Sequence, residues 1–103
     1  MDFRLLQKVL PVRVTENKVE NRLRVGVENR GGECLKWVSP GRVGPPDEIV
    51  LMDGARIIFV ETKAPDGVLK SWQARYHKML RRLGFRVEVL WTCEQVDEFL
   101  CSL

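Results

Sequence analysis

The stretch PDEIVLMDGARIIFVETK, residues 46–63, decides the fold. Glu48–Met52 and Arg56–Lys63 are apolar runs on either side of Asp53 and Gly54, a pair that favours the tight turn of a hairpin. The second run is continuously apolar from Ile57 to Val60, so it reads as a central strand covered on both faces. Asp47 lies six residues before Asp53, and Glu61 seven after Gly54. Antiparallel pairing across the turn therefore brings the two carboxylates to the same end of the hairpin. Glu61 and Lys63 are two apart and point from one face of their strand, about 7 Å from one another along it. Two converging carboxylates suit Mg²⁺ or Mn²⁺, which take hard oxygen ligands and leave positions for water and a phosphate oxygen. Burying Glu61 and Lys63 without partners is costly. Either they pair as a structural salt bridge, or a metal and its substrate compensate them.

Outward from this hairpin the chain reads as one domain, residues 15–103, preceded by an N-terminal accessory segment, residues 1–14, with Phe3, Leu5, Leu6, Val9 and Leu10 before Pro11. Thr15 suits a helix N-cap, Glu16 suits the positive end, and Val19, Leu23 and Val27 recur at four-residue spacing. That helix should run to about Arg30, where Gly31 and Gly32 stop it. Cys34–Val38 alternates as a strand, and Ser39–Pro46 reads as a loop. After Ala64-Pro65-Asp66-Gly67, the residues Leu69, Trp72, Tyr76, Met79, Leu80 and Leu83 mark one helix face, with Trp72 expected on the core side. Gly84 ends that helix, Phe85–Trp91 forms a last strand, and Glu94–Leu100 a short helix. The order helix, three strands, helix, strand, helix predicts an α/β fold with a small mixed sheet flanked by helices.

The 103 residues are 45% hydrophobic and 30% charged, which fits a single soluble globular domain. No apolar run approaches the length of a membrane span, no secretory signal is visible, and the chain reads as cytoplasmic. Cys34, Cys93 and Cys101 lack the Cys-x-x-Cys spacing of a zinc site and read as buried reduced thiols. A net charge of +3 names no partner, but its distribution is uneven. Residues 69–91 carry six bases to one acid, and the run from Lys70 to Arg86 holds Arg75, Lys78, Arg81 and Arg82 with no acid among them. Such a field suits phosphates, although a solvated helix face has the same composition.

A lone Glu-x-Lys is a weak signal, and Glu16-Asn17-Lys18 repeats the spacing without an upstream acid on a paired strand. Far more demanding is the ordered set of Pro-Asp, hairpin, apolar strand ending Glu-Thr-Lys, and a helix with Gln73 near its start. Together with GGECLKWVSPG (31–41), GPPD (44–47) and FVETKAPDG (59–67), this set resembles the VRR-NUC nucleases, the virus-type replication-repair branch of the PD-(D/E)XK superfamily, in a stand-alone, phage-type form. The resemblance implies the restriction-endonuclease-like αβββαβ core and a Mg²⁺- or Mn²⁺-dependent endonuclease. It further implies Asp47 and Glu61 as metal ligands, the backbone carbonyl of Thr62 as another, Lys63 as the water-positioning base and Gln73 as a site-organising residue. An acid of the first helix completes such sites. Glu20, acting directly or through a water, is preferred to Glu16, which lies one turn nearer the helix start. Glu48 departs from the Arg that usually follows Pro-Asp in the family and reverses a charge beside the metal.

Lys36, Arg42, Lys70, Arg75 and Lys78 are the expected DNA contacts. His77 reads as a surface residue beside the basic helix face, and a single histidine excludes histidine-based zinc chemistry. Core packing is favoured over base stacking for Trp37, Trp72 and Trp91. No element built to read a DNA groove is visible, so recognition through the backbone and through shape, such as a branch, junction or flap, is expected, in replication or repair. The resemblance also implies a homodimer, and no organic cofactor is called for. The rival reading is a non-catalytic nucleic-acid-binding module that keeps the nuclease fold.

Overall fold

The computed structural model describes residues 14–103. The accessory segment expected for residues 1–14 falls, but for its last residue, outside the described residues. The elements are α1 (Glu16–Asn29), β1 (Glu33–Lys36), β2 (Glu48–Met52), β3 (Arg56–Thr62), α2 (Ser71–Arg82), β4 (Arg86–Leu90) and α3 (Cys93–Cys101). They follow the order expected from the sequence. The Thr15 hydroxyl accepts the Lys18 N–H at the start of α1, and Val19, Leu23 and Val27 are fully buried along one face.

The sheet runs β1-β2-β3-β4. The first two pairings are antiparallel and the last is parallel, because α2 crosses over between β3 and β4. The hairpin closes with Met52 opposite Arg56, so its turn spans 53–55, and Gly54 and Ala55 both take positive φ. Ala55 in that region carries strain that a glycine there would avoid.

Alternation along the strands divides the molecule into three layers. Val50, Met52, Ile58, Val60 and Leu90 pack against α1 and α3 in the larger core. On the other sheet face Phe59, Leu80 and Val87 meet Trp37, Ile49, Tyr76 and Met79 beneath α2. As its composition foretold, β3 is buried on both faces from Ile58 to Thr62.

Four expectations need correction. Trp72 is 48% exposed and Leu83 58%, because only part of the expected apolar face of α2 reaches the sheet. His77 sits on that inner face and is completely buried. The β1 strand stops at Lys36, leaving Val38 in solvent. Cys101, on the outer side of α3, is exposed rather than buried.

Candidate active site

The register that pairs Glu48 with Val60 sets Asp47 opposite Glu61 one step further along. Asp47 is anchored by its backbone, whose carbonyl accepts the Trp37 N–H at 2.8 Å, and its Oδ2 accepts the Thr62 N–H at 3.4 Å. Thr62 therefore stands at the same strand end, beside the acid pair. Burial, a hydrogen bond shared with Glu61 and the charge of Glu61 push the Asp47 carboxyl up to about 7. Burial also pushes Glu61 up. Its interactions with His77 and Asp47 and the charge of Lys63 outweigh this, and hold its carboxyl below the usual range. Of the two, Glu61 is the more readily ionised.

Lys63 extends the β3–β4 ladder by donating its N–H to the Leu90 carbonyl at 2.9 Å. Its Nζ lies 3.5 Å from Glu61 Oε2 and donates to Gln73 Oε1 at 3.1 Å. The same Gln73 oxygen accepts the Lys70 N–H at 2.9 Å, which ties the first turn of α2 to the lysine. Four of the expected residues, Asp47, Glu61, Lys63 and Gln73, are thereby brought together at one end of the sheet. His77 joins them from α2. Its Nε2 stands 3.8 Å from Glu61 Oε1, and neither ring nitrogen has a hydrogen-bond partner. Only its spacing, one helical turn after Gln73, could have signalled this.

Glu20 groups with Lys36 and Glu48. It accepts a hydrogen bond from Lys36 Nζ, which is also 3.7 Å from Glu48 Oε1. Glu48 alternates to the sheet face opposite Asp47 and is 3% exposed. Burial and the neighbouring Glu20 push the Glu48 carboxyl up to about 8, against the opposing charge of Lys36. The charge reversal expected beside the metal falls on the α1 side of β2. Cys34, whose thiol is raised to about 12 by burial and by the charge of Glu48, completes this cluster. The α1 acid whose charge is felt at Asp47 is Glu16.

No family model matches the chain. It is 43% identical over 77 residues to "Putative nuclease p44" of Acyrthosiphon pisum secondary endosymbiont phage 1, a match covering 75% of this chain and 83% of that protein. A solved structure described as a VRR_NUC domain superposes with a TM-score of 0.78 at 31% identity, over 82% of this chain and 92% of that one. The chain belongs to the VRR-NUC nuclease family.

The VRR-NUC site here fits a hard divalent cation. Asp47 and Glu61 converge at one sheet end, burial and the charge of Glu61 oppose ionisation of Asp47, which a cation would relieve, and Glu61 Oε1 is buried without a hydrogen-bond partner. Among the described residues no three His, Cys, Asp or Glu side chains converge closely enough to hold an ion by themselves. An ion would complete its shell with backbone oxygen, water and substrate. Of the basic residues expected at DNA in this VRR-NUC chain, Arg42, Lys70, Arg75 and Lys78 are exposed, whereas Lys36 is engaged by Glu20 and Glu48. Among the described residues no helix is long and apolar enough to cross a membrane.

Proposed function

We propose that the chain is a Mg²⁺- or Mn²⁺-dependent DNA endonuclease acting on branched, junction or flap DNA. The observation that supports this reading most directly is the convergence of Asp47 and Glu61 with Lys63 and Gln73 at one sheet end, in a chain of a nuclease family. Asp47, Glu61 and the Thr62 carbonyl would hold the metal. Bound there, the ion would polarise the phosphodiester and acidify water.

The chain's own residues do the rest. The water oxygen attacks phosphorus in line, the bond to the leaving oxygen breaks, the attacking water's proton is released to solvent, and a solvent water protonates the leaving oxygen. Lys63, fixed between Glu61 and Gln73, orients that water and offsets charge gathering on the phosphate. Gln73 holds the lysine through an oxygen itself pinned by the Lys70 N–H, so the lysine reaches the transition state without reorganising. Burial of Glu61 and His77 keeps solvent behind the pair from weakening its field. For the acid from α1, the charge felt at Asp47 favours Glu16, and Glu20 is the alternative. A homodimer, placing two such sites on two strands, is part of the same proposal.

Labelled duplex, flap and four-way-junction DNA incubated with Mg²⁺, Mn²⁺ or EDTA tests the reading. Metal-dependent cleavage is expected, falling about 100-fold or more in Lys63→Ala, with the larger loss in Glu16→Gln than in Glu20→Gln. Sedimentation of the same protein reports the oligomer. Binding of the panel without cleavage under any metal would replace the enzyme by the binding module.

A further inference from the structure

Trp72, 48% exposed, is the most solvent-accessible aromatic side chain of a cleft of about 260 Å³ between the 39–46 loop and α2. Arg42, Val43, Arg75, Tyr76 and Met79 complete its lining, with no acid among them. The floor is rigid. The Tyr76 ring meets Trp37 edge-on at 5.7 Å, and Trp37 in turn packs on Phe59 at 5.2 Å in the core beneath α2. The Arg42 guanidinium lies over the Tyr76 ring, 5.7 Å from its centroid. The rim is fixed to the active site at both ends. On the α2 side the neighbour of Trp72 is Gln73, which holds Lys63. On the loop side Gly44 runs so close to α2 that a Cβ there would stand 2.6 Å from the Trp72 carbonyl, and three residues later the loop reaches Asp47.

We infer that this cleft binds an unpaired base of the DNA strand, stacked on Trp72, with Arg42 and Arg75 on its flanking phosphates. The inference rests on the nuclease reading and deepens it by naming what the substrate must offer. An accessible aromatic face between guanidinium groups is the chemistry by which single strands are held without regard to sequence. A paired base cannot enter, since both its faces are covered within the duplex. The cleft therefore selects DNA that carries a single-stranded segment within a few nucleotides of the scissile phosphate. Trp72 acts here as a binding residue and takes no part in the chemical step.

The test measures binding in EDTA, where cleavage cannot contribute. A labelled hairpin duplex is compared with the same duplex bearing an oligothymidine tail, by anisotropy, for the unmodified chain, Trp72→Leu and Trp72→Phe. The tailed DNA is expected to bind more tightly, and the ratio of the two dissociation constants should shrink about tenfold in Trp72→Leu while Trp72→Phe keeps most of it. A 2-aminopurine in the tail should be quenched by the unmodified chain and stay bright with Trp72→Leu. An unchanged ratio, equal binding of both DNAs by the unmodified chain, or no binding of either would overturn the inference. If Trp72→Leu fails to fold, Arg42→Gln, altering an exposed loop side chain, carries the same ratio test. A tail preference that depends on Trp72, in a chain that cleaves nothing with any metal, would retain the cleft and remove the nuclease reading.

Discussion

Replacing Asp47 by asparagine should stabilise the metal-free protein while abolishing its activity. An isolated aspartate titrates near 3.8, whereas Asp47 does so at about 7, chiefly through burial and then through Glu61. A pKa unit corresponds to about 1.4 kcal/mol, which sets a ceiling of about 4 kcal/mol on the cost of ionising it in the folded chain. Asp47 is only half-buried, and screening by water reduces this to about 2 kcal/mol. Because its folded-state value is raised, the group costs nothing below about pH 4, where it is protonated in both states. Its cost grows as pH rises towards 7 and is constant above that. Asparagine removes the charge yet keeps a donor for Glu61. In EDTA at pH 8 Asp47→Asn should therefore melt about 10 °C above the unmodified chain, with the difference shrinking to nothing near pH 4. Added Mn²⁺ should raise the melting temperature of the unmodified chain and leave Asp47→Asn where it was. Circular-dichroism melts across this pH range make the comparison. A difference that is negative, or that does not change with pH, would refute the account of the acid pair.

Gly44→Ala should cost about 2 kcal/mol and lower cleavage, since its φ of +103° and the nearby Trp72 carbonyl both oppose a side chain; melts and initial rates check this. His77→Leu keeps the buried volume but leaves Glu61 Oε1 in apolar surroundings. It should lose about 1–3 kcal/mol, and His77→Gln, which retains a donor, should lose less. Urea unfolding of the two variants in the reverse order would remove the polar role assigned to His77.

Much of the architecture was legible because its decisive contacts are local. Asp47 and Glu61 meet through one hairpin whose turn residues and apolar strands lie within a single short stretch, and α1 announces itself through Thr15 and the buried Val19, Leu23 and Val27. What could not be read depends on how far a helix is rotated against the sheet. Trp72, His77 and Leu83 all lie on α2, and hydrophobicity alone turned the wrong side of it inward at its ends. The buried His77 lies 3.8 Å from Glu61, a neighbour sixteen residues upstream that periodicity cannot register. The grouping of Glu20 with Lys36 and Glu48 is similarly non-local, since it joins a helix to two strands. Side-chain alternation along β2 does place residues 47 and 48 on opposite faces, a simple inference with consequences for both acids.

Those consecutive acids answer to different neighbours on the two sides of the strand. Glu48 faces Lys36 and Glu20 within the α1 layer, so its charge is set by those two side chains rather than by the phosphate that Asp47 would serve. Substitutions at 20, 36 and 48 should therefore couple to one another in stability, whereas a substitution at 47 is felt by Glu61 one strand away.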